Sequence, residues 1–226
     1  MAENGNLSKG NGLRWIVRRA LTTVKHEGLR SFVTRSLAFA GYKLGVWYAG
    51  WFSRTLDEPI VPVPPRLDGS ISLLTPEDAQ DYVRFHSNIS SEEFLRRLGR
   101  GEDCFVVRDA SGELASATWV AAASVWIDFV DREVTLQDDE VYLYDSYTAP
   151  QFRGKRLQPY LCANILTEIR DKGYRRAAVI IAPENRSNIA SRQRSGFRKT
   201  GNLFRIRIGS LRRDFFRPIR SSPTDS

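Results

Sequence analysis

The pattern of apolar and polar positions in the second half of the chain alternates between strand-like and helix-like stretches. Residues 141–148 combine β-branched and aromatic side chains, as strands do, and residues 177–182 form a continuous apolar run typical of a strand buried on both faces. Between them, residues 158–172 carry apolar side chains every four positions, which predicts a helix. Residues 184–195 predict a shorter helix, and strand character returns from Phe197.

The stretch before residue 141 predicts three strands and two helices. The patterns place a strand at residues 70–74, a helix from 75 to about 86, a helix from 91, and a hairpin of residues 103–108 and 114–122. Residues 124–130 are expected to extend the second hairpin strand, and an acidic loop follows at 131–140. The two halves together predict an α/β protein.

A basic, glycine-containing turn joins the strand at 141–148 to the long helix. It places three positive charges, Arg153, Lys155 and Arg156, within four residues. Backbone N–H groups at a helix start have no partner within the helix, and the helix dipole adds partial positive charge there. The turn therefore predicts a binding site for a phosphorylated ligand, and a solvated basic turn is the alternative.

Two motifs occur in this half of the chain. Residues 148–158 read Thr-Ala-Pro-Gln-Phe-Arg-Gly-Lys-Arg-Leu-Gln, and residues 185–197 read Asn-Arg-Ser-Asn-Ile-Ala-Ser-Arg-Gln-Arg-Ser-Gly-Phe. They resemble the signatures Val-x-Pro-x-x-Arg-Gly-x-Gly-x-Gly/Ala and Asn-x-x-Ala/Ser-x-x-Leu-Tyr-x-Lys-x-Gly-Phe of the GNAT superfamily, the acyl-CoA-dependent N-acyltransferases. The separation of the two motifs is also that of the family, and the similar order of elements covers residues 70–209.

The resemblance implies an α/β (α+β) fold with a mixed, mostly antiparallel sheet of six to seven strands flanked by helices. It implies an N-acyltransferase that passes the acyl group of a co-substrate, acetyl-CoA or another acyl-CoA, directly to an amine on a small molecule or sugar, without a metal. The implied cofactor-binding residues lie at the strand end, in the basic turn and in the second motif: Ser146, Tyr147, Thr148, Arg153, Gly154, Lys155, Arg156, Leu157 and Asn185.

Three residues depart from the family pattern. Arg156 stands where members usually have glycine, Gln158 where they have a small residue, and Arg192 where a tyrosine often protonates the leaving thiolate. An arginine at position 156 either adds a guanidinium suited to phosphate or blocks the pocket. The departures make a catalytically degenerate binding or scaffold domain, tethered by basic helices, the alternative function.

Three side chains of the predicted strand are candidates for acid–base chemistry. Asp145 is an acid in an apolar strand, where desolvation raises a carboxyl pKa toward that of a useful base; an ion pair with an arginine is the alternative. Tyr144 and Tyr147 are candidate donors, with packing as the alternative. Strict alternation places Tyr144 on one face of the strand and Asp145 and Tyr147 on the other, unless a β-bulge interrupts the strand. For Asn185 the alternative to cofactor binding is a helix N-cap.

Positive charge is concentrated near the N-terminus. The 226-residue chain has a formal net charge of +8, and residues 1–55 hold nine Lys or Arg against two Glu. Residues 1–11 are expected to be disordered, whereas residues 13–25 and about 31–51 predict two basic amphipathic helices, the second rich in aromatic side chains, within an extension that spans 12–55. Arg35 and Lys43 exclude a membrane-spanning helix, because each costs about 2.5–3.5 kcal/mol at bilayer depth.

The extension allows three interpretations. Contact with an anionic membrane surface suits basic amphipathic helices and would place a cytoplasmic protein at the inner face of a membrane. Packing on the core or in a homodimer would equally cover the apolar faces. An Arg-rich organellar transit segment is the third interpretation. Nucleic-acid binding is disfavoured because no sequence-reading motif accompanies the charge.

The remaining features set the domain boundaries and exclude a metal or disulfide scaffold. Four prolines predict an extended linker at 56–68, followed by the acyltransferase domain at 69–216 and a flexible tail at 217–226. Cys104 and Cys162 are too few and too far apart for a zinc site or a disulfide framework, so we expect buried, reduced thiols. The two histidines, His26 and His86, are isolated and show no metal-binding pattern.

Overall fold

The structure, a computed structural model, describes residues 46–127, 132–208 and 211–218. The strands are β1 (Val46–Thr55), β2 (Gly69–Leu73), β3 (Asp103–Asp109), β4 (Leu114–Ala122), β5 (Ser124–Ile127), β6 (Arg132–Thr135), β7 (Glu140–Thr148), β8 (Arg176–Ile181), β9 (Arg198–Ile208) and β10 (Leu211–Pro218). The helices are α1 (Ala79–Phe85), α2 (Ser91–Gly99), α3 (Leu157–Asp171) and α4 (Arg186–Arg194). Short 3-10 turns, Pro76–Asp78 and Pro150–Phe152, lie before α1 and α3.

The chain divides into two compact units. The larger contains residues 48–204 and 214–226, and the smaller contains residues 1–47 and 205–213. In the smaller unit the guanidinium of Arg205 lies over the ring of Trp47, 5.0 Å from its centroid. The predicted disordered stretch 1–11, both predicted amphipathic helices up to residue 45 and the end of the tail lie outside the described residues.

A mixed sheet organises the larger unit. Seven strands lie in the order β9-β1-β8-β7-β4-β3-β2. Among the pairings described, β7 and β8 run parallel, and β1 with β8, β2 with β3, β3 with β4 and β4 with β7 run antiparallel. Strands β5 and β6 form a separate two-stranded sheet. This architecture confirms the predicted fold class.

Helices cover both faces of the sheet because their apolar stripes need burial. The stripe predicted on α3, Leu161, Ile165 and Ile169, is at most 2% exposed and packs against β3, β7 and β8. On the other face, α1 and α2 bury Tyr82 and Phe94 against β3 and β4. Each of these side chains contributes about 1.5–3 kcal/mol through burial. None of the four helices in the described part of the chain is long and apolar enough to span a bilayer.

Strand β1 corrects the predicted N-terminal extension. It pairs with β8 over six residue pairs, so the last ten residues of the predicted 12–55 extension form a strand of the sheet. Phe52 is 2% exposed in the core under α3, whereas Trp51 stacks on Tyr142 on the opposite face. Aromatic residues that fit a helix face also fit a two-sided buried strand, because successive side chains point to opposite faces. The helical prediction for this stretch is therefore wrong.

The segment that joins β1 to β2 has no helix or strand, as its prolines predict. It is nevertheless attached to the core: Leu56 is 1% exposed, and its N–H donates to the Arg175 carbonyl at 2.9 Å. Near the other end, the N–H of Arg66 donates to the carbonyl of Lys155 at 2.8 Å. The segment therefore runs past the basic turn before α3.

The region after β4 differs from its prediction. Ala123 has a positive φ of 62°, which breaks the strand, so β5 does not extend β4 but starts a hairpin with β6. Part of the predicted acidic loop at 131–140 is strand β6. Apolar residues continue across the break almost without interruption, which is why the pattern alone suggests one strand.

Candidate functional site

Strands β7 and β8 separate halfway along their length. Their parallel pairing covers Glu140, Val141 and Tyr142 of β7 and stops there. Beyond this point β8 continues to pair with β1 on its other side, up to Gly50 opposite Ile181. Within the described residues, the edge of β7 that faces β8 therefore has no strand partner over its second half. A narrow cleft opens in the middle of the sheet.

A β-bulge lies in the unpaired half of β7. Ala117 of β4 faces Tyr147, and Trp119 faces Tyr144, so two steps along β4 correspond to three along β7. Asp145, inside the bulge, has a left-handed backbone with φ of 45°. The extra residue disrupts the alternation of side chains, as expected for a bulge. As a result Asp145 reaches the α2 side of the sheet, like Tyr144, and shares with Tyr147 a contact to the imidazole of His86.

The turn before α3 presents free backbone donors. Gly154 and Arg156 both have left-handed backbones, with φ of 79° and 60°. No described residue accepts a backbone hydrogen bond from the N–H of Gly154, Lys155 or Arg156. Arg153 is exposed and donates from Nε to the Thr148 carbonyl at 3.3 Å, which holds it at the end of β7. The turn offers three amides and two exposed guanidinium groups to an anion.

A cavity of about 350 Å³ lies between the end of β7, the start of α3 and α4. Its lining residues are Ser146, Tyr147, Thr148, Arg153, Gln158, Cys162, Asn185, Ser187, Asn188, Ser191, Arg192 and Ser195. Five of the nine residues predicted to bind the cofactor belong to this lining, and the remaining four, residues 154–157, form the neighbouring turn. The lining contains two arginines and no acidic residue.

The side chain of Gln158 connects β4 to β7 at the bulge. Its Nε2 donates to the carbonyls of Ala117 (3.1 Å) and Tyr147 (3.0 Å) and to Ser116 Oγ (2.8 Å). Its Oε1 accepts a hydrogen bond from Thr118 Oγ1 at 3.2 Å. The carboxamide therefore occupies the inner wall of the cavity, where the GNAT signature has a small residue, but it leaves the opening between β7 and β8 in place.

Arg192 extends from α4 into the same cavity and is 4% exposed. Its Nη2 donates to Ser146 Oγ at 2.8 Å, and its Nη1 donates to Cys162 Sγ at 3.0 Å. The guanidinium also lies 5.7 Å from the centroid of the Phe197 ring. No carboxylate among the described residues forms an ion pair with it. A guanidinium does not lose its proton in proteins, so Arg192 cannot act as the acid that the family tyrosine provides.

Asp145, the predicted general base, is an ion-pair partner. Its Oδ2 accepts a hydrogen bond from Arg97 Nη1 at 2.7 Å, and its Oδ1 accepts one from His86 Nε2 at 3.2 Å. Burial works to raise the pKa of Asp145, but the hydrogen bonds from His86 and Arg97 outweigh it and hold the pKa below its ordinary value. The expectation of a raised pKa is wrong, and the alternative of an arginine partner is confirmed.

Helix α2 positions this arginine. Ser90 caps the helix by accepting a hydrogen bond from the N–H of Glu93 at 3.1 Å, and Glu93 accepts from Arg97 Nε at 2.8 Å, one turn later. The Arg97 guanidinium lies 5.0 Å from the Tyr144 ring centroid and 5.2 Å from that of Trp119. Two carboxylates and two aromatic rings therefore surround this buried cation.

His86 is the residue of the site that the sequence does not reveal. It follows α1 directly, is 6% exposed, and stacks on Tyr147 with 4.2 Å between the ring centroids. The carboxylate that binds it lies 59 positions away along the chain. No local spacing signals such a pair, so the sequence shows only an isolated histidine.

The two candidate tyrosines have different environments. The hydroxyl of Tyr144 donates to Glu102, and burial raises the pKa of Tyr144 well above its ordinary range. Tyr144 therefore fits the packing alternative better than the role of an acid. Tyr147 is half-buried, and it lines both the 350 Å³ cavity and a second cavity of about 500 Å³ beside α1 and the β3–β4 turn. It is the one residue that the two linings share.

The other predicted features have structural roles. Asn185 accepts a hydrogen bond from the N–H of Asn188 at 3.3 Å and so caps α4, while it also lines the cavity. Cys104 and Cys162 are free and buried, as expected. Among the described residues, no three His, Cys, Asp or Glu side chains are grouped so that they could hold a metal ion.

No protein-family model and no curated protein matches the sequence. Solved structures do match it. A GNAT-family protein from Novosphingobium aromaticivorans has a TM-score of 0.51 at 17% identity, over 71% of this chain and 65% of that one. The GCN5-related N-acetyltransferase from Sphaerobacter thermophilus has a TM-score of 0.53 at 13% identity, over 87% and 67%. The GCN5-related glucosamine N-acetyltransferase region of a fungal multi-domain GH3 beta-N-acetylglucosaminidase has a TM-score of 0.55 at 13% identity, over 76% and 22%.

At these identities the likeness concerns the fold. The chain spans about two thirds of the length of each of the two bacterial proteins and about a fifth of the fungal one. Apart from the additional β5–β6 hairpin, the order of elements from β2 to β9 agrees with the order that the resemblance implies. The chain therefore has the GNAT fold, which confirms the resemblance carried by residues 148–158 and 185–197.

Proposed function

We propose that the protein transfers an acyl group, acetyl in the simplest case, from coenzyme A to an amine acceptor. One juxtaposition carries the proposal: the opening between β7 and β8 lies directly beside the free amides and guanidinium groups at the start of α3. The opening accepts a narrow extended chain such as the pantetheine arm. The turn accepts the diphosphate at its other end.

The proposal gives each part of the cleft a role. The backbone of residues 146–148 pairs with the pantetheine arm, in place of the missing part of β8. Arg153, Arg156 and the amides of residues 154–156 bind the diphosphate, and Lys155 adds charge nearby. The thioester then lies next to the bulge at Asp145, where the strand backbone leaves its regular ladder. The amine nitrogen attacks the thioester carbonyl there, and the carbon–sulfur bond breaks.

Proton removal from the amine falls to the pair formed by His86 and Asp145. An ionised Asp145 accepts from His86 Nε2, which fixes the imidazole tautomer that keeps Nδ1 as a proton acceptor. Tyr147, which stacks on His86, lines both cavities and so connects this pair to them. The expected signature is a rate that is largely lost in His86→Gln.

The test of the proposed function is calorimetry with acetyl-CoA. Gly154→Glu places a negative charge in the turn, and we expect it to abolish binding. Gly173→Glu is the matched control: Gly173 lies just beyond α3, has a left-handed backbone (φ of 95°), and, like Gly154, has nothing within 4 Å of an added Cβ. It introduces the same charge and similar strain at the other end of the helix. Equal affinity of both variants would contradict the proposed site.

Activity requires a second measurement. Acetyl-CoA consumption in the presence of amino sugars, polyamines and amino acids identifies the class of amine. We expect at least one class to accelerate thiol release over the rate without acceptor. Binding without turnover for any class would remove the enzymatic part of the proposal and keep the binding part.

The position of Gln158 favours a second candidate, a GNAT-like scaffold that has lost catalysis. The carboxamide already satisfies the Tyr147 carbonyl and fills the inner wall of the cavity. If the Gln158 carboxamide blocks the entry of coenzyme A, the wild-type protein does not bind acetyl-CoA at about 1 mM, whereas Gln158→Ala does. If the cleft is functional, the wild type binds at lower concentrations, and Gln158→Ala changes the affinity little.

A peripheral membrane location also stays a proposal. It is supported by the basic amphipathic pattern of residues 13–25 and by Arg30, Arg35 and Lys43 in the following stretch. The partner would be the anionic headgroups of a lipid surface. Dimerisation through the same apolar faces is the competing proposal, and sedimentation of the full chain with and without vesicles distinguishes the two.

A further inference from the structure

Among the described residues of the larger unit, Arg192 is the buried arginine whose guanidinium has neither a carboxylate partner nor hydrogen bonds to backbone carbonyls. Arg97 binds the carboxylates of Asp145 and Glu93. Arg54, which is 6% exposed, donates to the Ser195 and Pro59 carbonyls at the C-terminal end of α4 and in the linker. Arg192, at 4% exposed, has one hydroxyl and one thiol. Within the described residues no carboxylate pairs with it.

A buried charge is stable only when groups of opposite charge or good acceptors surround it. The cavity that Arg192 enters supplies no negative charge, because its lining contains no acidic residue. The titratable groups that face this cavity are Tyr147 from β7, Arg153 from the turn, Cys162 from α3 and Arg192 itself. The Phe197 ring compensates only part of the desolvation. The site is therefore built for a negative group of the ligand.

We propose that Arg192 is a catalytic residue that stabilises the thiolate leaving coenzyme A. The inference rests on the proposed acyl transfer. The neutral amine forms a carbon–nitrogen bond with the thioester carbonyl, the carbon–sulfur bond breaks, and its electron pair stays on sulfur. The amine proton passes to His86 and then to solvent. The thiolate needs no proton at that moment, because the fixed guanidinium charge balances it.

The contacts of Arg192 favour sulfur as the atom it meets. Nη1 already donates to a sulfur atom, Cys162 Sγ, at 3.0 Å, and Nη2 points along Ser146 in the bulge beside the proposed thioester position. A carboxylate at the end of a longer acyl chain would also satisfy a guanidinium. The two sources share the chemistry of an anion in the cleft, so the experiment includes an arm for each.

The test is an ultraviolet titration of the thiol of bound coenzyme A, because thiolates absorb where thiols do not. All proteins carry Cys162→Ser, and the titration of each protein without coenzyme A, which still contains the buried Cys104, is subtracted, so that the signal belongs to the ligand. We expect the thiol pKa to be at least about one pH unit lower when bound than in free coenzyme A in the same buffer, a roughly tenfold preference for the thiolate. Arg192→Lys should keep part of this shift, and Arg192→Gln should remove it.

Each result decides the inference. Coenzyme A that binds with an unchanged thiol pKa overturns the role of Arg192 and leaves the proposed function intact, whereas absence of binding to the wild type removes both. A selective loss of affinity for succinyl-CoA relative to acetyl-CoA in Arg192→Gln, with the thiol pKa unaffected, assigns the arginine to an acyl carboxylate instead. If Arg192→Gln does not fold, the titrations of the wild type and Arg192→Lys suffice.

Discussion

The guanidinium of Arg97 and the carboxylate of Asp145 form a hydrogen-bonded ion pair, 2.7 Å between Nη1 and Oδ2, across 48 positions of the chain. The pair joins α2 to the bulge of β7. The acid therefore works as an anchor: it fixes the bulge and orients His86, and it remains ionised at neutral pH.

We expect Asp145→Asn to lower the free energy of unfolding by about 2–4 kcal/mol at neutral pH, because it leaves the nearly buried Arg97 without a main partner. The pKa of Asp145 lies below its ordinary value of about 3.9, so its stabilising effect is present above that pH and is lost as the pH falls through the lower, folded-state value. The difference between wild type and variant should therefore shrink in acid. Urea unfolding at about pH 7 and pH 3 measures it.

The control for this prediction is Asp81→Asn. Asp81 pairs with Arg84 on the surface of α1, where both side chains are about half exposed or more. Such pairs contribute less than about 1 kcal/mol. A loss in Asp81→Asn as large as that in Asp145→Asn would contradict the anchoring role.

Gly154 and Arg156 both have left-handed backbones, and we expect substitutions at the two positions to change the free energy of unfolding in opposite directions. Arg156→Gly should raise the free energy of unfolding by about 0.5–1 kcal/mol, because it relieves a conformation that costs a non-glycine residue about 1–2 kcal/mol, partly offset by the greater freedom of the unfolded chain. Gly154→Ala should lower it by about 1 kcal/mol, and purely through conformation, since nothing lies within 4 Å of the added Cβ. Arg156→Ala removes the charge but keeps the strained backbone. Comparing its acetyl-CoA affinity with that of Arg156→Gly therefore separates the effect of the lost charge from the effect of the strain.

Strand β1 predicts a large effect of a substitution near the N-terminus. Phe52→Ala should lower the free energy of unfolding by about 3–5 kcal/mol, because the ring is 2% exposed in the core under α3. Ser53→Ala is the neighbouring control; its hydroxyl contacts Thr200 Oγ1 at the surface, so its loss should be below about 1 kcal/mol. Chemical denaturation of both variants measures the difference. A small effect of Phe52→Ala would place β1 outside the cooperative core.

The membrane proposal is testable in the full chain with the triple variant Arg14→Gln, Arg18→Gln and Lys25→Gln. Each basic residue near an anionic surface contributes about 1 kcal/mol, so partitioning onto vesicles containing anionic lipid should fall roughly 150-fold. Co-sedimentation measures it. Neutral vesicles are the control, and unchanged binding of the triple variant to anionic vesicles would refute the proposal.

The sequence predicts well the elements whose signals are local. Helix α3 is predicted at 158–172 and found at Leu157–Asp171, and β4 has the predicted limits Leu114–Ala122. Local signals are sufficient to predict these two elements. For α3 they are a four-residue apolar repeat and a glycine after the helix, and for β4 they are a turn motif between the strands. The basic turn is predicted for the same reason, since glycine, charge and helix start follow one another in the chain.

The sequence does not predict the parts that depend on distant partners. Strand β1 needs β8, more than 120 positions later, before its aromatic residues can be recognised as a strand rather than a helix. The pKa of Asp145 depends on Arg97 and His86, which belong to other elements. The bulge in β7 is visible only against the register of β4.

The unequal pairing of β8 determines how the cleft can change its width. This strand shares six residue pairs with β1 but three with β7. Because β8 has twice as many pairs with β1 as with β7, a change in the width of the cleft is expected to move β8 together with β1. If the proposed acyl transfer holds, substitutions in β1 are therefore a way to change which acyl chains the cleft admits.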